Sequence, residues 1–246
     1  MAARRRRNAI AWVALGVVVV VGVRTLAAAS AASLDLSPAW LQAWSTGVSA
    51  VGPAVYTCDN FDGVDGSLAG RAVTSVAACG SFVWTVRSGG WSTVAGSARS
   101  DGTAGATATL AAGVGNATVA AMITATIAGA DSGGNQAGVV LAHDGAGSFL
   151  AAVLVGSDPD RVDLVHVVDG APAVLATASI VVATVARLAL VRNGSSVVVR
   201  VDDIERVTLG LTAGQVAALG SGSGAGLYAS SATITIDDLR ITTPTP

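Results

Sequence analysis

The chain has 246 residues, of which 52% are apolar and only 12% are charged; about a quarter is usual for charged residues in soluble domains. Five of its 14 basic residues lie in the first 29 positions, where no acid occurs, so the rest of the chain carries nine basic and 16 acidic residues. This acidic body argues against nucleic-acid binding, because such binding depends on neutralising phosphates.

Residues 1–29 have the layout of a membrane-targeting element. Four consecutive arginines precede an uncharged, mostly apolar run at residues 9–23, and the small residues at 27–32 offer A-x-A cleavage sites. This layout predicts a signal peptide or an uncleaved N-terminal membrane anchor. For the anchor, a hydrophobic helix over residues 9–29 is long enough to span the membrane, with Arg24 at the outer interface. Both alternatives place residues 30–246 outside the cytoplasm, held at the cell membrane or secreted after cleavage.

Residues 30–54 are predicted to be a linker with one short helix. Ser37 and Pro38 suit the cap and first position of a helix, and Trp40, Leu41 and Trp44 follow at helical spacing. Two alternatives stay open for the tryptophans, which would either lie at the membrane interface or pack onto the following domain.

From residue 55 to residue 243 the sequence consists of short β-rich runs separated by Gly, Asp, Asn and Ser. The pairs Asp144-Gly145, Asp169-Gly170 and Asn193-Gly194 predict hairpin turns. Strands at this spacing predict one all-β domain, an antiparallel two-sheet sandwich of the jelly-roll type, followed by a tail at 244–246. The predicted strands are 55–61, 81–87, 91–99, 104–111, 117–127, 137–143, 148–155, 161–168, 172–178, 186–192, 196–202, 225–230 and 232–242.

Two features interrupt this β pattern. Residues 212–219 predict a helix with Thr212 as its cap. In the last strand Ile234 and Ile236 point one way, whereas Leu239 and Ile241 are out of phase with them. A β-bulge at Asp237-Asp238 would return all four side chains to the core.

Cys58 and Cys79 are the only cysteines. Outside the cytoplasm, an even pair in a β domain predicts a disulfide bond, which would stabilise the fold by roughly 3 kcal/mol. The alternative is two free, buried thiols. A metal site with these cysteines is poorly supported, since His143 and His166, the only histidines, lie far away in sequence.

Three aspartates, Asp59, Asp62 and Asp65, follow one another at three-residue steps among glycines. An EF-hand loop is excluded. A loop that starts at Asp59 has Phe61 at its third position, and one that starts at Asn60 has Val64 at its fifth, where oxygen ligands are required. Neither loop ends in the Glu that an EF-hand needs. Phe61 and Leu68 instead suggest core anchors on either side of a turn, which makes this segment the first strand and turn of the domain. Asp62 and Asp65 remain candidates for a surface calcium ion, and no other cofactor is predicted. The loop acids Asp131, Asp144, Asp158 and Asp160 have no spacing that singles them out as ligands.

The order of the segments resembles a known superfamily. The pattern D-x-F-x-x-x-D-G-x-L-x-G-R occurs at 59–71, a strand led by Trp91 follows, and later come GVVLAHDGAGSFLAAVL at 138–154 and the closing ATITIDDLRI at 232–241. Over residues 55–243 this order resembles the concanavalin A-like lectins and glucanases, in particular the LamG-like jelly rolls of secreted bacterial proteins. The resemblance implies that the first and last strands pair. It also implies glycan binding or adhesion for many members and glycosidase activity for others.

Catalysis by this chain is not expected. The resemblance implies an E-x-D-x-x-E-like motif in the glycosidases, whereas this chain has a single glutamate, Glu205, with only Asp202 or Asp203 as partner. Two-carboxylate hydrolysis needs a matched acid and nucleophile. The sequence also has no nucleophile elbow. We interpret His166 as a core histidine, since it lies on the apolar face of its strand, and His143 as part of a hairpin end.

The sequence therefore predicts a non-catalytic, extracytoplasmic LamG-like module that binds a glycan or a protein at the cell surface. A carbohydrate-active hydrolase of the same superfamily and a purely structural envelope protein are the alternatives. The ligand-binding residues are not assigned, because aromatic residues that could stack on sugars are scarce. The candidates are Tyr56, Trp84, Trp91, Phe149 and Tyr228.

Overall fold

The computed structural model describes residues 54–74, 80–124, 135–157, 159–181 and 184–244. The predicted hydrophobic helix over 9–29 and the short helix near Ser37 lie outside these ranges. Within them, no helix is long and apolar enough to cross a membrane. The described residues form two antiparallel sheets that pack face to face, which confirms the predicted sandwich.

The larger sheet has nine strands and contains both ends of the domain. Its strands are β1 (Val55–Asp59), β2 (Gly66–Ser67), β4 (Trp91–Val94), β5 (Ser97–Ser100), β7 (Thr118–Thr124), β12 (Val185–Asn193), β13 (Ser196–Val201), β14 (Ile204–Gly210) and β16 (Thr235–Thr242). They are ordered β14-β13-β12-β7-β16-β5-β4-β2. The first strand, β1, pairs with the last, β16, as the resemblance implies.

The smaller sheet has seven strands, which are β3 (Trp84–Ser88), β6 (Ala106–Leu110), β8 (Gln136–His143), β9 (Phe149–Val155), β10 (Arg161–Val168), β11 (Ala171–Ser179) and β15 (Gly224–Ala229). They are ordered β11-β10-β9-β8-β15-β6-β3. Consecutive strands β8 to β11 form a meander at one side, and β15 joins this meander to β6.

The core lies between the sheets and consists mainly of Ala, Val, Leu and Ile. Alternate residues of each strand face it, as the period of two in a β-strand requires. In β9 these residues are Leu150, Ala152 and Leu154, which are all fully buried. Phe61 and Leu68 are also buried, which confirms them as core anchors at the start of the domain.

The predicted bulge in β16 is confirmed. Its pairing with β7 shifts register between Asp237 and Arg240, and Asp238 has a positive φ of 47°. As a result Ile236 and Leu239 both face the core, although they are three positions apart in the sequence.

The helix α1 (Ala213–Leu219) is also confirmed. Thr212 caps it, and the side chains of Thr212 and Gln215 form a reciprocal capping box that satisfies two backbone N–H groups.

One of the three predicted hairpin turns is confirmed, and the other two differ from the prediction. Asp169-Gly170 is the expected two-residue turn, with positive φ at both positions. Asn193, however, pairs with Ser196, so that turn consists of Gly194 and Ser195, one residue later than predicted. The prediction of a two-residue turn at Asp144-Gly145 is wrong, because β8 and β9 are joined by a longer loop over residues 144–148.

Two strand assignments were also wrong. The predicted strand 91–99 is a hairpin, β4 and β5, whose turn places Ala95 and Gly96 at positive φ. A second hairpin turns at Asp202-Asp203, again at positive φ, and leads into β14, which the sequence did not predict. Ala95 gives no turn signal, because alanine adopts positive φ only when the surrounding pairing holds it there.

Candidate functional site

A second apolar cluster lies on the outer face of the seven-stranded sheet, away from the sandwich core. In β9 it is formed by the residues that alternate with the core residues, beginning with Phe149 and Ala151. Although the cluster lies on an outer face, the side chains that form it are at most 7% exposed. The cluster contains Val140, Phe149, Ala151, Val153, Val155 and Val167, with Val165 and Tyr228 packed against it.

A cleft of about 330 Å³ opens at one end of this face. Its apolar surface comes from Phe149, Val167 and Tyr228, and its polar groups include Arg87 and His143. The loop after β8 and the turn after β10 form one rim, where glycines such as Gly147 and Gly170 keep the backbone accessible. An apolar recess with a few convergent polar groups is the usual form of a small-ligand site.

His143 ends β8 and lies at the base of the rim. Its ring stacks on Phe149, with ring centroids 5.1 Å apart and planes 8° from parallel. Its Nδ1 accepts a 2.9 Å hydrogen bond from the backbone N–H of Gly145, so the neutral ring carries its proton on Nε2. Burial lowers the pKa of His143, and the positive charge of Arg87 lowers it further, against a smaller opposing effect of Asp144. The ring is therefore neutral at pH 7 and offers one N–H donor.

Arg87 extends from β3 on the opposite side of the cleft. Its Nε donates a 3.0 Å hydrogen bond to the hydroxyl of Thr109, which fixes the base of the guanidinium group. No residue in the described ranges accepts a hydrogen bond from its two terminal nitrogens. Sequence reasoning did not single out Arg87, because an Arg in a strand has no distinguishing motif.

Hydrogen bonds within and between the two rim segments hold them in place. Asp144 Oδ1 accepts three backbone N–H groups, from Ala146, Gly147 and Ser148. The N–H of Gly170 donates to the carbonyl of Gly147, which ties the two rim segments together. Although partial burial opposes the effect, these N–H groups lower the pKa of Asp144 overall. Asp144 is thus a structural cap of the loop and keeps its charge at neutral pH.

None of the described residues that line the cleft is Asp or Glu. Glu205 is exposed on the edge strand β14, where Thr208 donates to its carboxylate. Asp203 forms an ion pair with Arg187 at 2.7 Å, and Asp202 accepts the backbone N–H of Arg187. These acids therefore lie on the other sheet from the cleft.

The calcium candidates are engaged in hydrogen bonds. Asp65 accepts the N–H of Ala95, and Asp62 accepts the side-chain amide of Asn60. The backbone carbonyls of Phe61 and Asp62 both accept from one terminal nitrogen of Arg71, so a guanidinium group occupies the oxygen-rich side of this turn. In the described part of the chain, no group of three or more His, Cys, Asp or Glu residues is arranged to hold a metal ion. Asp62 and Asp65 stay predictions as calcium ligands.

The aromatic candidates divide into two groups. Trp84 and Trp91 are buried in the main core, and Tyr56 packs against it. Phe149 and Tyr228, in contrast, line the cleft.

The remaining candidates lie elsewhere. His166 is buried, as predicted for a core histidine. Asp160 accepts the N–H of Ser157 at the start of β10. Cys79, Asp131 and Asp158 lie outside the described residues, so the Cys58–Cys79 disulfide stays a prediction.

Comparisons by sequence find no matching protein-family model and no match among curated proteins. Comparisons of the fold find similar solved structures. One is the carbohydrate-binding module CBM66 from Bacillus subtilis, with a TM-score of 0.54, 17% identity, and coverage of 65% of this chain and 95% of that one. Another is the GH43 protein BlXynB from Bacillus licheniformis, with a TM-score of 0.54, 16% identity, and coverage of 76% of this chain but only 39% of that one.

At such identities the likeness concerns the fold alone. It agrees with the segment order in the sequence, with the pairing of β1 and β16, and with the two antiparallel sheets. The chain has a two-sheet jelly-roll sandwich fold, which it shares with these two structures.

Proposed function

We propose that this protein is a non-catalytic module that binds a glycan outside the cytoplasm, with the cleft on the seven-stranded sheet as its binding site. The observation that carries the proposal is the composition of this cleft. It combines the aromatic side chains of Phe149 and Tyr228 with the donors of Arg87 and His143. A sugar ring has the matching chemistry, since its C–H faces pack on aromatic surfaces and its oxygens accept hydrogen bonds.

The fold comparisons add support of a weaker kind. One similar structure is a carbohydrate-binding module and the other is a GH43 protein, so this fold serves proteins of both kinds. Fold alone does not choose between binding and catalysis, because function depends on the site.

The lining of the cleft favours binding over hydrolysis. Glycoside hydrolysis of the usual type needs two carboxyl groups on either side of the scissile bond. The described lining residues supply none, and Glu205 lies on the edge of the other sheet.

An extracytoplasmic location is supported by the arginines and the apolar run within residues 1–29. Mass spectrometry of the native N-terminus would distinguish a cleaved signal from a retained anchor, and protection of the β domain in intact cells from added protease would contradict this location.

The proposal is tested with the full chain in mild detergent, screened on a glycan array and then titrated with each hit. Arg87→Gln should weaken binding at least about ten-fold, the cost of one lost charged hydrogen bond. Arg206→Gln is the matched control, since Arg206 is exposed on β14 and lies outside the cleft. Tyr228→Leu keeps the apolar volume, removes the aromatic ring and should also weaken binding.

Three outcomes would contradict the proposal. They are an array without hits, hits that bind all three variants equally, and release of new reducing ends from a bound glycan. The last outcome would establish the hydrolase alternative.

A further inference from the structure

We propose that the cleft selects saccharides that carry a carboxylate group, such as a uronate residue, over neutral sugars. This inference rests on the proposed function and specifies the class of ligand. It depends on the charge of the cleft and on the hydrogen-bonding groups that remain available in it.

The first argument is the state of the Arg87 guanidinium. Because Nε is bound to Thr109, the group is anchored through one edge while both terminal nitrogens remain without an acceptor in the described structure. A planar fork of parallel N–H donors matches the two oxygens of a carboxylate, and such bidentate pairs are stronger and more directional than bonds to neutral oxygens.

The second argument is the absence of competing anions. Three acids lie near the cleft without lining it: Asp144 and Asp101 accept backbone N–H groups, and Asp169 is exposed in the turn after β10. Asp144 caps the β8–β9 loop, and Asp101 accepts the N–H groups of Thr103 and Gly90. No described ion pair involves Arg87. Among the described residues, the lining of the cleft therefore includes one arginine and no carboxylate, although the body of the protein is acidic.

The third argument is the arrangement of the other groups around Arg87. His143 adds a neutral N–H donor, and the stacked Phe149 limits the movement of its ring. Phe149, Val167 and Tyr228 provide the apolar surface for the sugar ring. The volume of about 330 Å³ is at the lower end for ligand pockets, which suits a short saccharide or the end of a longer one. A ligand with an apolar ring face and one carboxylate uses all of these groups.

The test compares two ligands that differ only in charge. Short galacturonate oligomers and their methyl esters are titrated into the full chain by calorimetry at low salt. The acid should bind at least about ten-fold more tightly than the ester, and this ratio should fall as salt screens the charge. Arg87→Gln should bring the ratio close to one, whereas Arg206→Gln should leave it unchanged.

A second variant separates bidentate recognition from simple charge attraction. Arg87→Lys keeps the positive charge but loses the planar fork, so it should lose most of the preference for the acid. If Arg87→Lys binds the acid as well as the original protein does, the bidentate contact is wrong. Tight binding of dextran sulfate at the same site would also overturn the inference, because it would show attraction to any polyanion.

The results distinguish this inference from the proposed function. If neutral oligomers bind as tightly as the acids and Tyr228→Leu weakens both, the cleft is a glycan site without selection for carboxylates, and only the inference fails. If neither class binds, the inference fails, and the proposed function fails as well when the glycan array also shows no hits. Circular dichroism and thermal unfolding of each variant exclude loss of the fold as the cause.

Discussion

The indole N–H of Trp84 donates a 2.6 Å hydrogen bond to the carboxylate of Asp59, and both side chains are almost completely buried. The other carboxylate oxygen accepts the N–H of Phe61 and both the N–H and the hydroxyl of Thr74. This first aspartate of the D-x-F-x-x-x-D-G pattern is therefore a structural acceptor that ties β1 to β3.

Replacing Asp59 by Asn should destabilise the domain by about 2–3 kcal/mol. An amide has only one acceptor atom, so its NH₂ group would face a donor on whichever side it lies, and a buried donor would lose its partner. Asp65→Asn is the control, because the exposed Asp65 accepts only the N–H of Ala95, which an amide oxygen also satisfies. The free energies of unfolding in urea measure both, and a loss of equal size in the two variants would contradict the role given to Asp59.

Gly138 is required by close packing between strands. A Cβ atom at this position of β8 would overlap the backbone carbonyl of Ala152 in β9, which is not free to move. Gly138→Ala should therefore destabilise the protein by about 2–4 kcal/mol. Gly210 at the end of β14 has open space around its Cα, so Gly210→Ala should be neutral or slightly stabilising. Urea unfolding of the two variants gives the comparison, and tolerance of alanine at residue 138 would show that β8 and β9 are further apart than described.

Asp237 should make stability decrease as pH rises. Burial raises its pKa, and repulsion by Asp238, Asp62 and Asp59 adds to this, against one opposing hydrogen bond from the N–H of Asp238. The folded protein therefore holds this proton more tightly than the unfolded chain does. The resulting stability is complete below the unfolded pKa of about 3.9 and is lost as pH rises through the raised folded value.

Asp237→Asn should accordingly stabilise the protein at pH 7, by less than about 1 kcal/mol because solvent screens charges at a half-exposed position. The gain should vanish near pH 3, where the original carboxyl is protonated. Asp203→Asn is a control of opposite sign, since it removes the partner of Arg187. Thermal unfolding between pH 3 and pH 8 tests the pair, and a gain that persists at the acidic end would contradict the explanation by charge.

The sequence predicts the fold well where apolar periodicity and local chemistry agree. The out-of-phase isoleucines and leucine of β16 predict the bulge, and Thr212 with Gln215 allows the capping box of α1. The hairpin at Ala95-Gly96 was missed because the pairing of β4 with β5 overrides the local preference of alanine. Such turns depend on partners that are distant in the chain.

The candidate site could be predicted only in pieces. His143, Phe149 and Tyr228 were named from the sequence as a hairpin residue and two aromatics, without any link between them. Arg87 was not named at all. These residues come from four strands, β3, β8, β9 and β15, that meet only through the order of the sheet. Periodicity within a strand gives the face of a side chain, but it does not give the neighbour on the next strand.

The closeness of Arg87 to His143 gives the last prediction, because it couples their charges. The pKa of His143 should lie below 6.5, owing first to burial and then to the positive charge of Arg87. Since the folded value is depressed, the stability linked to this residue is complete above the unfolded pKa of about 6.5 and is lost as pH falls through the folded value. Two substitutions should move the folded value in opposite directions. Arg87→Gln removes a cation and should raise it, whereas Asp144→Asn removes an anion, keeps the oxygen that caps the loop and should lower it.

NMR titration of the imidazole protons measures these shifts directly, and the signals of His143 are assigned by comparison with His166→Gln. Arg206→Gln should leave the pKa unchanged. Binding of a carboxylate in the cleft should raise the pKa of His143, because the ligand brings a negative charge close to the ring. A neutral sugar that occupies the same cleft should lower it, because it displaces water without adding charge. The direction of the shift on saturation therefore reports which kind of ligand group lies beside Arg87, independently of affinity.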